Sequence, residues 1–187
     1  MNLFILPTNT CFWIACTISE IESYKKIYEI KTRDFSKPLA ILCDKIDYLR
    51  QNTKLTEKQL DFLSNYQNPW TILIDKEKIT DKNLLNQISK LPNSEIYEKI
   101  AFRVAHNFMH SKLIRLNWLL FLTSANKSNN PEILSSIKVK GKFKKEIENF
   151  WIKVFAHNDF CINSSQTASD IFEFVGDSDE IRYLRKN

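Results

Sequence analysis

Three clusters of polar residues are the part of this sequence that could do chemistry, and each follows directly on a segment that can be buried. The clusters are Pro7–Thr10, Lys31–Pro38 and Thr123–Asn126. In α/β proteins the polar groups at the ends of buried elements build ligand sites, because the scaffold is rigid and the loops carry the chemistry. The second cluster supplies two cations, Lys31 and Arg33, and the other two supply hydroxyl and amide groups. Cations beside neutral hydrogen-bonding groups suit a ligand that carries phosphate.

Each cluster also has a simpler explanation. Lys31 and Arg33 stand two positions apart, so on an extended segment both side chains would point to the same side and hold an anion between them. They also follow a predicted helix, and cations complement the negative end of a helix dipole. Asn and Thr side chains, as in Pro7–Thr10, commonly bond the backbone of a turn. The order and spacing of the three clusters together, more than any one of them, indicate a site.

Apolar runs and helical periodicity alternate along the chain and predict an α/β fold. Strands are expected at Leu3–Leu6, Leu39–Cys43, Trp70–Ile74, Ile100–Val104 and Leu119–Thr123, with shorter strand-like pieces near Phe160–Ile162, Ile171–Val175 and Ile181–Leu184. Helices are expected from a cap at Ser19 to about Ile30 and at Asp44–Arg50, Thr56–Tyr66, Asp81–Lys90, His106–Leu116 and Lys144–Phe155. Thr56 and Gln59 have the spacing of a capping box. Loops are expected around Gly141 and at Asn126–Pro131. This alternation predicts one domain over residues 1–187, built on a twisted mixed sheet flanked by helices.

The composition limits the class of protein. The chain has 187 residues, of which 43% are hydrophobic, and its formal net charge of +5 is a mild excess that is compatible with an anionic ligand or with RNA. Its four cysteines include no C-x-x-C pair, so neither a zinc site nor a disulfide framework is expected. The N-terminus lacks the basic segment of a signal peptide, and the apolar runs, of which Trp118–Leu122 is one, are far shorter than the roughly 20 residues that cross a bilayer. A reduced, cytoplasmic protein without a membrane span is expected.

Several standard catalytic motifs are absent from the sequence. His106 and His110 stand four apart, as in zinc-binding helices, but Asn107 occupies the place of the usual glutamate and no third ligand is apparent, so no metal site is predicted. Neither standard glycine-rich phosphate loop occurs in a chain whose only glycines are Gly141 and Gly176. No serine or cysteine has a base partner marked by the sequence, so no nucleophile is assigned.

As an ordered set, the motifs resemble those of the YrdC-like family, the threonylcarbamoyl-AMP synthases. The family's Pro-Thr-Asp-Thr-Val-Tyr-Gly-Leu segment is similar to Pro7–Ile14. Its K-x-R motif is matched by Lys31 and Arg33, and the Ser-Lys-Pro-Leu that often follows is matched by Ser36–Leu39. Its S-x-N motif is matched by Ser124 and Asn126. Weaker similarities lie at Asn68–Thr71, Phe102–Val104, Gln166–Asp170 and Leu184–Lys186. K-x-R alone does not identify a family. K-x-R followed by S-x-N, in the order in which the family has them, is a more specific indication of the family than either motif alone. The matches run from residue 3 to residue 185.

The chain also departs from the family pattern. Asn9 stands in place of an acid, the usual N-terminal helix is missing, and Trp13 stands in place of a glycine, where it is expected to alter the backbone beside the pocket. These departures leave a catalytically degenerate relative as one alternative. A second alternative is an RNA-binding module of the same fold, although only a few aromatic residues, such as Phe12 and Trp13, lie near the clusters.

The resemblance implies a YrdC-like domain with a concave basic cavity and a nucleotidyltransferase activity. Family members join L-threonine, bicarbonate and ATP into threonylcarbamoyl-AMP, releasing pyrophosphate, and the product serves the threonylcarbamoyladenosine modification of tRNA. Mg²⁺ would bridge the triphosphate, held by phosphates and water more than by a protein cage. The implied partners are these substrates, downstream tRNA threonylcarbamoyl transferase proteins and, at most weakly, tRNA itself.

The resemblance also assigns roles to individual residues. ATP would be bound by Lys31, Arg33, Thr71, Ser124, Asn126 and Arg185, and L-threonine by Thr10, Lys37, Arg103 and Thr167. Lys31 and Arg33 would act in catalysis by offsetting the charge that grows as the α-phosphate is attacked. Thr167 and Arg185 would close the pocket over the ligand. These roles require the K-x-R and S-x-N residues to converge on one cavity wide enough for a nucleoside triphosphate.

Overall fold

The computed structural model describes residues 2–105, 108–128, 130–157, 159–163 and 168–186, and of residues 108, 109 and 117 it describes the backbone only. The strands are β1 (Leu3–Pro7), β2 (Phe12–Thr17), β3 (Ala40–Cys43), β4 (Trp70–Asp75), β5 (Lys99–Val104), β6 (Leu120–Ser124), β7 (Lys153–Val154), β8 (Asp170–Phe174) and β9 (Ile181–Arg185). The helices are α1 (Ile21–Lys31), α2 (Ile46–Asn52), α3 (Glu57–Asn65), α4 (Lys82–Ile88), α5 (Phe108–Asn117), α6 (Ser136–Lys142) and α7 (Lys144–Phe150), with short 3₁₀ turns at Lys76–Lys78 and Ser94–Ile96.

The strands of the described residues form a single nine-stranded sheet in the order β7-β1-β2-β6-β3-β5-β4-β8-β9. The pairs β1–β7, β3–β5 and β4–β8 are parallel, and the other neighbours are antiparallel. The predicted α/β fold with a mixed sheet flanked by helices is therefore confirmed. Among the described residues, none of the helices combines the length and the apolar character that crossing a lipid bilayer requires.

Alternation along the strands gives the sheet two apolar faces. One face, which includes Ile14 and Phe121, belongs to the larger hydrophobic core together with residues of α1 to α4. The other face, which includes Leu42 and Leu120, packs with Ile114 of α5 in a smaller core. A ten-residue helix is about 15 Å long, whereas nine strands side by side span about 38 Å. Part of the second face is therefore left open by α5.

The local signals at helix starts had mixed outcomes. The capping box before α3 is confirmed, because the Thr56 hydroxyl accepts from the Gln59 amide and the Gln59 side chain accepts from the Thr56 amide. The predicted cap at Ser19 is wrong. The N-cap of α1 is Glu20, and its side chain makes no capping hydrogen bond.

Two predictions in the second half of the chain are wrong. Gly141 lies within α6 and not in a loop. The helix expected over Lys144–Phe155 ends at Phe150, because Trp151 adopts the left-handed conformation with φ 53°. Lys153–Val154 then pairs with β1 as an edge strand, so tertiary pairing decides this segment against its helical spacing.

Candidate functional site

The open part of the second face forms the floor of a cavity of about 540 Å³. The apolar residues of this floor lie on strands from β2 to β9: Trp13, Ala40, Leu73, Ala101, Leu122, Ile171 and Leu184. Because the side chains of Ala40 and Ala101 are small, the cavity is deeper over β3 and β5. A more open groove of about 650 Å³ beside Thr17 and Trp118 contains none of the predicted site residues.

Polar and charged residues surround this apolar floor. They are Thr10, Arg33, Ser36, Lys37, Thr71, Thr123, Ser124, Glu132, Ser169 and Arg185. The charged groups lining the cavity, within the described part of the chain, are thus three cations and one carboxylate. All three polar clusters of the sequence contribute to the lining, so they meet at one cavity.

The predicted site residues divide into two groups by position. Six of them line the cavity: Thr10, Arg33, Lys37, Thr71, Ser124 and Arg185. Lys31, Asn126 and Arg103 do not line it, and each is buried, with 1%, 8% and 4% of its surface exposed. Thr167 lies outside the described residues. Direct contact with a ligand is therefore open to the first group, whereas the buried residues are placed to support it.

Lys31 is the last residue of α1, and its ammonium group is enclosed by protein oxygens. The nitrogen donates to the Ser124 carbonyl at 2.5 Å, the Asn126 carbonyl at 2.6 Å and the Asn126 side-chain oxygen at 3.0 Å. The expectation of an extended segment is wrong, because Thr32 is left-handed with φ 52° and separates the directions of Lys31 and Arg33. Burial lowers the pKa of Lys31 to about 8, and the charge of Arg33 acts in the same direction. Lys31 thus stabilises the end of β6 and the residues that follow it, and it lies behind the residues that line the cavity.

Asn126 belongs to the same hydrogen-bond network as Lys31. Its side-chain oxygen also accepts from the Ser124 hydroxyl at 2.6 Å, and its side-chain nitrogen donates to the Asn130 carbonyl at 2.5 Å. Ser124 is therefore held in the cavity wall by Asn126, which is in turn held by Lys31. In this arrangement the S-x-N residues have different places, one in the wall and one behind it.

Arg33 reaches the cavity because backbone carbonyls hold one edge of its guanidinium group. Its Nε donates to the Lys37 carbonyl at 3.0 Å, and its Nη2 donates to the Pro38 carbonyl at 3.2 Å. A guanidinium group has five N–H donors, so two bonds leave donors for an anion. Lys37 lines the same wall from the loop that supplies these carbonyls.

Another part of the cavity wall is built by β4, by β9 and by Ser169, which directly precedes β8. Arg185 donates from Nε and Nη2 to the Ser169 carbonyl, at 3.0 and 2.7 Å, and the Ser169 hydroxyl lies 2.9 Å from that of Thr71. Ser169 was not predicted as a site residue, although it lies inside the weak similarity at Gln166–Asp170. The wall thus presents one cation and two hydroxyl groups to the cavity.

Comparison with known proteins agrees with this fold. The model of the Sua5/YciO/YrdC family, whose description is "Telomere recombination", matches residues 2–186. The chain belongs to this family. It is 27% identical over 151 residues to the threonylcarbamoyl-AMP synthase of Pseudoalteromonas atlantica, covering 78% of this chain and 76% of that one, and 25% identical to the enzyme of the same name from Pseudoalteromonas translucida over the same shares.

Solved structures of the Sua5/YciO/YrdC family share the fold. The chain superposes on P. abyssi Sua5 complexed with L-threonine with a TM-score of 0.71 at 20% identity, covering 98% of this chain. It superposes on E. coli YciO with a TM-score of 0.73 at 13% identity, covering 99% of this chain and 82% of that one. The chain spans 50% of the P. abyssi Sua5 chain.

Two of the three departures from the Sua5/YciO/YrdC family pattern, Asn9 and Trp13, meet at Arg103 on β5. The Arg103 guanidinium lies over the Trp13 ring at 4.4 Å and donates from Nη2 to the Asn9 side-chain oxygen at 2.5 Å. Its Nη1 is buried without a hydrogen-bond partner in the described structure. Burial lowers the pKa of Arg103 to about 10. A neutral amide therefore stands at the position where the family motif would place a counter-ion for this buried cation.

Trp13 does not alter the backbone as expected. It keeps the regular pairing of β2, opposite Leu6 on β1 and Ser124 on β6. Its effect comes from the side chain, which is 7% exposed, covers Arg103 and forms part of the cavity floor. Arg103 thus lies behind Trp13 and faces a smaller cavity of about 290 Å³ that includes Asn9.

Glu132 is a cavity residue that sequence reasoning missed. It supplies the carboxylate among the lining residues described, and it lies near enough to Lys31 and Cys11 to influence the pKa of both. The signal that could have found it is its position six residues after Asn126 in the segment that follows S-x-N.

The remaining reactive side chains near the site are held neutral. Burial raises the pKa of Cys11 to about 11, so its thiol stays protonated near neutral pH. Burial lowers the pKa of His110 to about 4, and its Nε2 lies 2.8 Å from the Pro7 carbonyl. The other histidine of the predicted pair, His106, lies outside the described residues.

Proposed function

We propose that this chain is an L-threonylcarbamoyladenylate synthase, a nucleotidyltransferase that forms threonylcarbamoyl-AMP and pyrophosphate from L-threonine, bicarbonate and ATP. The observation that carries the proposal is the cavity on the open sheet face, in which three cations and several neutral hydrogen-bonding groups surround an apolar floor. The names of the Pseudoalteromonas relatives and the L-threonine complex of P. abyssi Sua5 support it. The product would serve tRNA modification through separate transferase proteins.

The size and lining of the cavity suit these substrates. Its volume of about 540 Å³ lies within the range of roughly 300–1,000 Å³ that is usual for ligand sites. The apolar floor is suited to the adenine base, and the cations are suited to the triphosphate. Arg33 precedes β3 and Arg185 ends β9, which lies four strands further along the sheet, so the two cations would contact a bound nucleotide from different parts of the lining.

The buried residues would act through the residues that line the cavity. Lys31 and Asn126 would fix Ser124, and they would be positioning residues for ATP. L-threonine would lie near Thr10 and Lys37, with its carboxylate at the Lys37 ammonium group. The Arg103 Nη2 lies 3.5 Å from the Thr10 hydroxyl, so Arg103 would orient Thr10. Thr167 would remain a candidate for the threonine site by its place in the family motif.

The reaction needs alignment and charge stabilisation more than a protein nucleophile. The threonine amine attacks bicarbonate and water leaves, which gives a carbamate. A carbamate oxygen then attacks the α-phosphorus of ATP, and the bond to the pyrophosphate leaving group breaks. Arg33 and Arg185 would offset the charge that develops on the phosphates, and the side chains that line the cavity would hold the reactants in line. The protonated Cys11 agrees with a mechanism without a covalent enzyme intermediate.

Mg²⁺ would enter with ATP, and the donor set of the cavity fits that arrangement. Mg²⁺ is usually held by one or two carboxylates together with substrate phosphates and water. Glu132 is the carboxylate available in the described lining. The metal would neutralise charge on the triphosphate, and Glu132 would anchor it to the wall.

The lining favours a nucleotide over a strand of RNA. Binding of single-stranded RNA by stacking uses several aromatic rings along a groove. Trp13 is the aromatic residue among the described lining residues, and its ring already covers Arg103. Contact with tRNA would therefore be weak at this cavity.

A turnover assay tests the proposal. The protein is incubated with ATP, Mg²⁺, bicarbonate and L-threonine, and pyrophosphate release is measured with and without threonine. Arg33→Gln is expected to lower kcat/KM by roughly 100-fold, the scale of losing one stabilising contact in the transition state. Lys25→Gln, an exposed change on α1, the helix that precedes Arg33, is the control and is expected to stay within about twofold. Wild-type protein that releases no threonine-dependent pyrophosphate would overturn the proposal.

A further inference from the structure

Three buried tyrosines form a hydrogen-bonded cluster beneath the loop that carries Arg33 and Lys37. Tyr24, Tyr28 and Tyr97 are 1%, 2% and 5% exposed. The Tyr24 hydroxyl lies 2.8 Å from that of Tyr28 and 3.3 Å from that of Tyr97. None of the three lines the cavity, and no motif considered above includes them.

Two of these hydroxyl groups contact the loop directly. The Tyr28 hydroxyl donates to the Lys37 carbonyl at 2.9 Å, and the Tyr97 hydroxyl donates to the Phe35 carbonyl at 2.6 Å. The Phe35 ring stacks on that of Tyr28, with 4.3 Å between centroids and 21° between planes. The loop between α1 and β3 is thus fastened at two carbonyls and one ring.

The number of available protons determines which hydroxyl group is the donor in each hydrogen bond of the cluster. A hydroxyl group has one proton to donate, and a backbone carbonyl can only accept. The protons of Tyr28 and Tyr97 are therefore committed to the loop, and Tyr24 must be the donor within the cluster. Burial raises the pKa of Tyr24 and of Tyr28 well above the usual value, so both keep their protons near neutral pH. Tyr24 consequently makes no direct bond to the loop.

Tyr28 and Arg33 donate hydrogen bonds to the same acceptor atom, the carbonyl oxygen of Lys37. The Lys37 carbonyl accepts from the Tyr28 hydroxyl at 2.9 Å and from Arg33 Nε at 3.0 Å. The orientation of this carbonyl sets the plane of the guanidinium group that faces the cavity. A tyrosine outside the cavity is therefore connected to a cation within it by two hydrogen bonds.

We propose that the hydroxyl groups of Tyr28 and Tyr97 are positioning groups that hold the loop after α1 where Arg33 and Lys37 face the cavity, and that the Tyr24 hydroxyl is not. The part of this inference that concerns ATP rests on the proposed function. Replacing each tyrosine with phenylalanine keeps the rings and removes one hydroxyl at a time. Tyr24→Phe is the matched control, since it deletes a hydroxyl from the same cluster without deleting a bond to the loop.

Two measurements test the proposal. The first is hydrogen exchange at the Lys37 amide, which donates to the Asp34 carbonyl at 3.2 Å inside the loop. Loss of one neutral hydrogen bond to the loop is expected to speed this exchange by about three- to tenfold in Tyr28→Phe and Tyr97→Phe, with strand amides unchanged. Tyr24→Phe is expected to leave it unchanged. The second is the Kd for ATP with Mg²⁺, expected to rise by a similar factor in the first two variants only.

The outcomes separate this inference from the proposed function. Equal effects of Tyr24→Phe and Tyr28→Phe, or unchanged exchange at Lys37 in both Tyr28→Phe and Tyr97→Phe, would overturn the positioning role. Wild-type protein that binds no ATP would overturn the proposed function, while the exchange measurement would still decide whether the two hydroxyl groups hold the loop.

Discussion

The ammonium nitrogen of Lys31 lies 3.0 Å from the side-chain oxygen of Asn126, and the same nitrogen also donates to two backbone carbonyls. A cation at the end of α1 is thus bound by the segment that follows β6, ninety-five residues later in the chain. Because the two contacts with Asn126 are buried and the contact with Ser124 is partly buried, exchanging them for water would require movement of the cavity wall. The lysine of K-x-R therefore helps to build the cavity wall in this chain.

Replacing Lys31 tests this bracing role. Lys31→Met keeps the length of the side chain but leaves buried carbonyls without a donor, so we expect the free energy of unfolding to fall by roughly 2–5 kcal/mol. Urea denaturation measures the change. Lys25→Met on the same helix removes an exposed pair with Glu22, and it is expected to change stability by less than about 1 kcal/mol. Equal losses in the two variants would contradict the bracing role.

Asn9→Asp is expected to stabilise the protein. A carboxylate at this position would meet the Arg103 guanidinium, whose Nη2 lies 2.5 Å from the present amide oxygen. Because Arg103 is buried and pairs with an uncharged group there, a charge-assisted bond should add about 1–2 kcal/mol to the free energy of unfolding. Asn9→Ala, which removes the acceptor, should have the opposite sign. Thermal denaturation compares the three proteins, and an Asn9→Asp variant that unfolds below the wild type would contradict this account of Arg103.

His110 should make the protein sensitive to acid. Burial lowers the pKa of His110 from 6.5 to about 4, so between these values the unfolded chain binds more protons than the folded one. The stability contributed by this group is present above pH 6.5 and is lost as the pH falls towards 4, with a total of roughly 3 kcal/mol. The measurement is the free energy of unfolding against pH for the wild type and for His110→Gln. An identical slope in both proteins over this interval would rule out His110 as the cause.

Glu132 is predicted to set the Mg²⁺ requirement of the proposed reaction. Glu132→Gln keeps the shape of the side chain and removes the charge that would hold the metal near the triphosphate. We expect the Mg²⁺ concentration at half-maximal rate to rise by about tenfold, the scale of losing one metal-supporting group, with the KM for L-threonine unchanged. Glu148→Gln, an exposed change on α7, is the control. A change in the KM for threonine with no change in the Mg²⁺ dependence would assign Glu132 to the amino acid instead.

Local signals in the sequence predicted those parts of the fold that depend on near neighbours. The capping box at Thr56 and Gln59 is a contact over three residues, and it is present as expected. The apolar run of β2, Phe12–Thr17, was missed although turn residues precede it, because it is buried along its whole length and lacks the alternation of a half-buried strand. Lys153–Val154 could not be recognised as a strand, because its pairing with β1 depends on a segment about 150 residues away.

The site shows the same division between near and distant contacts. The polar clusters could be identified as loop residues because each ends a buried element. That Arg33 would line the cavity while Lys31 would lie behind it depends on the left-handed Thr32 and on acceptors from residues 124 and 126, which no pattern around position 31 reveals. Glu132 and Ser169 were missed for a similar reason, since their chemistry follows from the cations placed around them by the fold.

Detection of the product itself tests the proposed activity. Wild-type protein is mixed with ATP, Mg²⁺, bicarbonate and L-threonine, and the quenched mixture is analysed by mass spectrometry for threonylcarbamoyl-AMP. We expect this adenylate with the wild type and with Lys25→Gln, and we expect its rate of formation to fall by about two orders of magnitude with Arg33→Gln. Folded wild-type protein that forms no threonylcarbamoyl-AMP, or Arg33→Gln that forms it at the wild-type rate, would overturn the proposed function.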